Sequence, residues 1–320
     1  MPDYLNTVLL VGCGYMGQEY CKVLQALHAD ICAVGRGEAS AKAFQEKTGL
    51  KPYTGGLEKF MDGQETLPNQ VIVAVGIQEL YQTVKLLLEK GAKTILVEKP
   101  GAARYDQIQE LNTLAEACGA DVFIAYNRRS YASVRKAKEL IAEDGGVSSF
   151  RFEFTEWGHV HLKSGRSRSE LSNMFLGNST HVIDLAFYLG GVPEKMSSYT
   201  AGDCSWCDKP EGYSGAGIAQ TGAAFSYFAD WDSAGRWSVE MLTKKRKLIL
   251  CPLEELHCQF RGTFAIEKVE IDDALDRKFK PGLYLQTRAF LERDFEVLLP
   301  LHEHVKLCRF YRQIEEGIPD

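Results

Sequence analysis

The sequence predicts an α/β protein, with a doubly wound parallel sheet in its first part and an α+β domain after it. Three observations carry that expectation. A chain of 320 residues exceeds what one hydrophobic core usually supports, which favours two domains. Through about residue 125, short strand-like apolar runs alternate with helix-periodic segments, as in a parallel sheet covered by helices. Beyond Asn127 the pattern changes to longer alternating strands, the first of them Phe150-Arg-Phe-Glu-Phe-Thr-Glu156. The boundary is therefore set at 127/128, giving domains 1–127 and 128–320.

Residues 7–11 read as the first strand. Met16, Tyr20, Val23, Leu24 and Leu27 then follow helical spacing and supply one apolar face to pack on a sheet. Strands follow at 31–34, 71–75, 95–97 and 122–125, with helices near 38–47, 78–90 and 105–118. In the second part, a helix at 134–142 stops at Gly145-Gly146. Further strands are expected at 223–229, 237–242 and 247–251, and a helix at 283–295 after Pro281-Gly282. No internal repeat or low-complexity segment is present.

Composition narrows the function classes. Hydrophobic content of 45% and charged content of 25% are those of an ordinary globular protein, and a net charge of -6 gives a polyanion no general attraction, so nucleic acid is not the expected partner. Met1-Pro2-Asp3-Tyr4 has neither the positive leader nor the apolar stretch of a secretion signal, and no apolar run is long enough to span a bilayer. A cytoplasmic location without a membrane partner is expected. Of nine cysteines, Cys13, Cys21, Cys32 and Cys118 lie in apolar segments and read as thiols of a reducing compartment. Cys204 and Cys207 have C-x-x-C spacing but no second pair beside them. His302-Glu-His304 alternates along an acidic stretch and reads as a solvated face. No metal site is expected.

Gly12-Cys13-Gly14-Tyr15-Met16-Gly17 follows the first strand and opens the first helix, the context in which a G-x-G-x-x-G run binds a dinucleotide in a Rossmann fold. Gly12 permits the tight turn, Gly14 lets a pyrophosphate approach the backbone, and Gly17 lets helix and strand pack closely, with the phosphates at the positive end of the helix. At the end of the second strand, where an acidic residue would hold the ribose 2′-hydroxyl of NAD, the sequence reads Val34-Gly35-Arg36-Gly37. Without that carboxylate a 2′-phosphate is not repelled, and Arg36 can pair with it; the other reading of Arg36 is a solvated loop residue. NADP(H) is favoured on this ground, with NAD(H) possible.

Lys99, in Val97-Glu98-Lys99-Pro100-Gly101, falls at the carboxyl edge of the sheet, where open α/β sheets bind ligands. Oxidation of a secondary alcohol requires a proton to leave as hydride departs, and a lysine can act as that acid or base. A lysine at such a place is otherwise a surface residue.

With the glycine loop, Glu98-Lys99-Pro100, Tyr126-Asn127-Arg128 and His181-Val-Ile-Asp184-Leu on the page, the chain resembles the glucose-fructose oxidoreductase, inositol dehydrogenase and rhizopine catabolism (Gfo/Idh/MocA) family over most of its length. The resemblance implies a second domain built on a large, mostly antiparallel open sheet, and dimers or tetramers formed through that sheet. It also implies a Lys99 that takes part in proton transfer and a His181 that faces the substrate. Asp184, three residues on and on the same helical face, can orient the imidazole; His181 bonded inside a core is the alternative. Many members carry an aspartate four residues before this histidine, where the present sequence has Gly177 followed by Asn178. Any relay through that carboxylate is absent, leaving Lys99 and His181 as the catalytic pair.

The cofactor is expected to contact Gly12, Cys13, Gly14, Tyr15, Met16, Gly17, Arg36, Val75, Glu98 and Lys99, and the substrate Lys99, Asn127, Arg128, Trp157, Asn178 and His181. Arg128 and Arg129 either position a polar or anionic substrate or form a charged linker. Lys163, Arg166 and Arg168 form a basic loop that either holds a nucleotide diphosphate or is solvated. The expected activity is hydride transfer between nicotinamide and a secondary alcohol or ketone of a sugar, nucleotide sugar or cyclitol. The alternatives are a reductase of a non-sugar substrate and a non-catalytic NAD(P)-binding regulator.

Overall fold

A computed structural model describes residues 7–62, 66–163, 165 and 171–319. The chain divides into two compact units, Met1–Asn127 with Leu275–Val305, and Arg128–Ala274 with Lys306–Asp320. A division at 127/128 assigned the whole of the later sequence to the second domain, whereas Leu275–Val305 packs within the first unit. Its apolar side chains are the reason. Leu283, Phe290 and Leu298 join Leu10, Tyr20, Leu24 and Phe123 in one core, and Gln70 donates to the Phe290 carbonyl at 2.8 Å.

The first unit contains strands β1 (Thr7–Val11), β2 (Asp30–Val34), β3 (Gln70–Val73), β4 (Thr94–Glu98) and β5 (Asp121–Ala125) in the order β5-β4-β3-β1-β2. All neighbours among them are parallel, and Leu299–Pro300 adds an antiparallel edge beside β5. β1 and β4 are buried along their full length because helices cover both faces, which explains their unbroken apolar sequences. Helices α1 (Tyr15–Ala26), α2 (Glu38–Thr48), α3 (Gly56–Met61), α4 (Ile77–Glu89) and α5 (Tyr105–Cys118) connect them. Because β2 lies on one side of β1 and β3 on the other, the winding reverses between β1 and β3, and such a switch point leaves a crevice outside the strand ends.

The second unit opens with α6 (Ala132–Glu143) and is built on β6 (Ser149–Glu153), β7 (Pro193–Ala201), β8 (Gly212–Ala219), β9 (Ala224–Asp230), β10 (Ser238–Leu242), β11 (Arg246–Leu250), β12 (His257–Phe260) and β13 (Glu267–Lys268). Their order is β13-β12-β11-β10-β6-β9-β8-β7, antiparallel throughout except where β6 pairs with β9. One face is apolar: Phe150, Phe152, Phe154, Phe225 and Tyr227 pack together and against Phe187 of the helix Thr180–Gly190. The opposite face is largely exposed, as the alternation in β9 shows.

The sequence reading gave no element for α3, β7 or β12, and three further differences have a clear physical reason. The strand expected to reach Glu156 ends at Glu153, so that Glu156 leaves the ladder and becomes fully buried. β8 was not anticipated because Gly212, Gly215 and Gly217 depress strand propensity. Those glycines admit close neighbours instead, since a Cβ on Gly217 would lie 2.3 Å from the Lys195 carbonyl oxygen. The helix Leu301–Glu316 occupies the stretch read as a solvated acidic face. His302 is exposed, but His304 is fully buried, with its Nε2 3.0 Å from the Pro100 carbonyl oxygen.

The helix Thr180–Gly190 is buried nearly all round, Asp184 included. Its carboxylate does not orient an imidazole as the sequence suggested. Arg129 holds it through two bonds of 2.6 and 2.8 Å, and Tyr311 donates to it at 3.2 Å. Removing one partner of a buried pair leaves an uncompensated charge, so Asp184→Ala is expected to destabilise the protein by about 3–5 kcal/mol in urea unfolding, and a loss under 1 kcal/mol would contradict the assignment.

Candidate functional site

The turn from β1 into α1 is set by close backbone approach. A Cβ on Gly12, whose φ is +119°, would lie 2.3 Å from the Ala74 carbonyl oxygen beyond β3, and one on Gly17 would lie 1.9 Å from the Gly12 oxygen. Side chains at either place would push α1 off the sheet. Gly14 is different: a Cβ there meets no protein atom within 4 Å, so the protein's own packing does not demand glycine. No side chain caps α1, and its first turn contains no acidic residue. The amides of that turn thus stand open in the positive field of a helix end, ready for an anion.

Cys13 lies in the same turn, with its Sγ packed on Gly35. Burial pushes its thiol up to about 11, with Cys21 adding to the effect, so it brings no negative charge to the anion site at neutral pH.

A cavity of about 570 Å³ opens at the switch point, within the range of small-molecule sites. Gly12, Cys13, Gly14, Arg36 and Val75 all line it, so five of the ten expected cofactor contacts meet at one place. Tyr15, Met16 and Gly17 continue into the first turn of α1. Gly55, Gly56, Ser40 and Glu79 also line the cavity and were not singled out from sequence, although the Gly55-Gly56 pair is a turn signal. Arg36 donates to Glu79 at 3.1 Å with both side chains well exposed, a pair of the kind that contributes about 0–1 kcal/mol.

Glu98 and Lys99 do not line this cavity. Glu98 is turned into the core, where Tyr20 donates to it at 2.9 Å and Gln286 donates to Tyr20 at 3.2 Å. Burial raises its carboxyl pKa, opposed by the nearby ammonium groups of Lys99 and Lys280. Lys99 is half-buried at the carboxyl end of β4 and precedes a cis bond to Pro100. The Pro100 carbonyl is tied to the buried His304, whose Nε2 must carry the proton for that bond. Asn127 is buried in the first unit and donates to the Pro281 carbonyl at 2.8 Å.

The remaining expected substrate contacts lie in the second unit. Asn178 is held by the buried Glu156, to which its Nδ2 donates at 2.9 and 3.0 Å, while Ser179 donates to the same carboxylate at 2.8 Å. Trp157 is exposed and donates to the Gly235 carbonyl. His181 is buried, with its ring 6.2 Å from Trp237, and Arg128 stacks on that same indole at 4.7 Å. Arg166 and Arg168 lie outside the described residues, and Lys163 ends the short helix α7 (Gly158–Leu162).

Comparison with known proteins bears directly on the glycine turn and the sheet that carries it. Residues 6–126 match the family described as Oxidoreductase family, NAD-binding Rossmann fold, under the name GFO_IDH_MocA. Over this domain, somewhat more than a third of its length, the chain is similar to the Gfo/Idh/MocA oxidoreductases. Curated Gfo/Idh/MocA-like relatives include an uncharacterized oxidoreductase of Schizosaccharomyces pombe, 30% identical over 133 residues that make up 40% of this chain and 36% of that protein. A myo-inositol dehydrogenase of Streptomyces leeuwenhoekii is 29% identical over 150 residues, 45% of this chain and 44% of that protein. The matches thus span less than half of these curated relatives. Among solved structures, levoglucosan dehydrogenase in complex with NADH superimposes with a TM-score of 0.80 at 17% identity, over 97% of this chain and 96% of that one, a likeness of fold.

The three glycines of the family turn separate two kinds of requirement. Gly14→Ala is expected to leave the melting temperature within about 2 °C of the parent, yet weaken NADPH and NADH binding at least tenfold by calorimetry. Gly17→Ala is expected to lower the melting temperature itself, and the reverse pattern would contradict the division of roles.

Proposed function

We propose that the protein is an NAD(P)-dependent dehydrogenase acting on a secondary alcohol of a carbohydrate-type substrate: a sugar, nucleotide sugar or cyclitol. The observation that carries this reading is the cavity at the β1/β3 switch point, lined by Gly12, Cys13 and Gly14 immediately before the uncapped N-terminus of α1. The match of residues 6–126 to an NAD-binding oxidoreductase family supports it, as do similar proteins named for inositol and levoglucosan.

The bound nicotinamide supplies the hydride acceptor, and the protein does the rest. The amides of the turn at residues 12–17 would hold its pyrophosphate, and Val75 lines the same cavity. Lys99 is the residue assigned to take the hydroxyl proton when the alcohol is oxidised and to return it in the reverse direction. His181, buried in the second unit, is assigned a hydrogen bond to substrate. Asn178 already donates to Glu156, so its remaining carbonyl oxygen is the atom left to accept from a substrate hydroxyl.

Arg36 supports NADP(H) over NAD(H). A guanidinium at the end of β2 can bind a 2′-phosphate with paired bonds, and its exposed partner Glu79 is held too weakly to prevent that exchange. NADPH is therefore expected to bind at least tenfold tighter than NADH in calorimetry, with Arg36→Ala removing the difference; equal dissociation constants in the parent protein would dismiss this preference.

Turnover provides the decisive assay. Incubation of the protein with NADP⁺ or NAD⁺ and a panel of sugars, nucleotide sugars and cyclitols is expected to produce reduced nicotinamide absorbance. Lys99→Ala is expected to lower kcat at least a hundredfold while nucleotide affinity stays within threefold. Undiminished turnover would remove Lys99 from the chemistry, and a parent protein with no affinity for either nucleotide would refute the proposed function.

A further inference from the structure

The second unit contains a ladder of alternating indoles and guanidiniums that its own packing leaves incomplete. The Arg236 guanidinium lies between Trp157 at 4.8 Å and Trp237 at 4.2 Å, and Arg128 stacks on Trp237 at 4.7 Å. Stacking occupies the faces of a guanidinium and leaves its N–H edge free, the edge that matches a carboxylate in geometry. Among the described residues, two buried donors here have no acceptor: Arg128 Nε and Trp237 Nε1. Buried donors left unmet are costly, and burial lowers the pKa of Arg128 against the opposing pull of Tyr131, Glu254 and Glu156.

The charges facing this group can be counted. Arg236 Nη1 lies 3.4 Å from Glu156 Oε2, a long contact, and Glu156 already accepts from Asn178 and Ser179. His161 Nε2 is 3.5 Å from the same oxygen. Glu254 acts on Arg128 from an exposed position, where solvent weakens it. Among the described residues, two guanidiniums face one buried carboxylate, an excess of one positive charge. A monoanion neutralises that excess, whereas a phosphate ester near two negative charges would overshoot it.

We infer that the edges of Arg128 and Arg236 around Trp237 bind the carboxylate of a sugar acid, making aldonates or uronates the substrate class. His181 lies on the same indole, 6.2 Å between ring centres, so the acid group is held beside the residue assigned to the substrate. This inference rests on the dehydrogenase reading given above and specifies what the enzyme acts on. It also explains why Trp157 stays exposed, since its ring forms the outer wall that keeps Arg236 flat. Arg236 was not recognised in the sequence, where nothing but its position between two tryptophan-bearing segments marks it.

The test uses the full-length protein saturated with NADPH, in which an alcohol binds without turning over. Calorimetry with D-glucuronate, D-galacturonate and D-gluconate, each beside its neutral parent sugar and the corresponding 6-phosphate of glucose, is expected to show at least one acid binding tenfold or more tighter than its parent. Arg236→Gln is expected to bring that ratio within twofold; should that variant not fold, Arg236→Lys, which keeps the charge but not the flat fork, is expected to lower it at least threefold. Neutral sugars binding as well as the acids, no acid binding at all, tighter binding of the phosphate ester, or a ratio untouched by the Arg236 variants would each overturn the inference while the dehydrogenase reading stands. A protein that binds no nicotinamide nucleotide would overturn both.

Discussion

The first unit depends on how closely the chain doubles back at the end of β1. With no side chain at Gly12 or Gly17, the backbone of the turn touches the end of β3 on one side and the start of α1 on the other. That contact lets the helix lie against a sheet whose central strands are buried on both faces. It also aims the uncapped end of the helix at the crevice created by the reversal of strand order. Packing and anion binding are thus one piece of geometry, and only Gly14 is released from the packing half of it. The neutral thiol of Cys13 and the lack of acidic residues in the first turn keep the local potential positive.

Polar groups in the interior of both units are held in closed sets. Glu98 accepts from Tyr20, which in turn accepts from Gln286, while Asp184 accepts from Arg129 and Tyr311, and Glu156 from Asn178 and Ser179. Such sets fix side chains in place because any displacement strands a charge or a donor in a medium that solvates it poorly. Among the described residues, Arg128 with Trp237 departs from this rule beside His181, as do Tyr213 and Trp231 elsewhere in the second unit. A site built for a ligand is unsatisfied by design until the ligand arrives, and the contrast with the closed sets around it is what makes the departure informative.

Backbone spacing explains why much of the architecture was readable from the chain alone. Strands β1 to β5, helices α1, α2, α4 and α5, and the glycine turn announce themselves through apolar periods and glycine spacing within a dozen residues, and burial on both faces of a parallel sheet makes those signals strong. β8 was invisible because its glycines look like breakers until Lys195 and Phe225 are seen pressing against them. His304 was taken for a solvated residue because its acidic neighbours lie on the outer face of the same helix, while its own ring meets a carbonyl 204 positions earlier in the chain.

What the sequence by itself determined was the order of many elements, the place of the glycine turn, the position of Lys99 at a strand end and a resemblance to a family. What only the tertiary structure decided was the partner of each charge: Asp184 with Arg129 and not with His181, Arg36 with Glu79, Asn178 with Glu156, and Arg236 with Trp157 and Trp237. The physical reason is range. Periodicity and glycine spacing are local properties written in consecutive residues, whereas a charged or polar side chain takes its partner from whatever the folded chain brings near, and the hydrogen-bonded partners of Asn178, Arg36 and Asp184 come from 22 to 55 positions away.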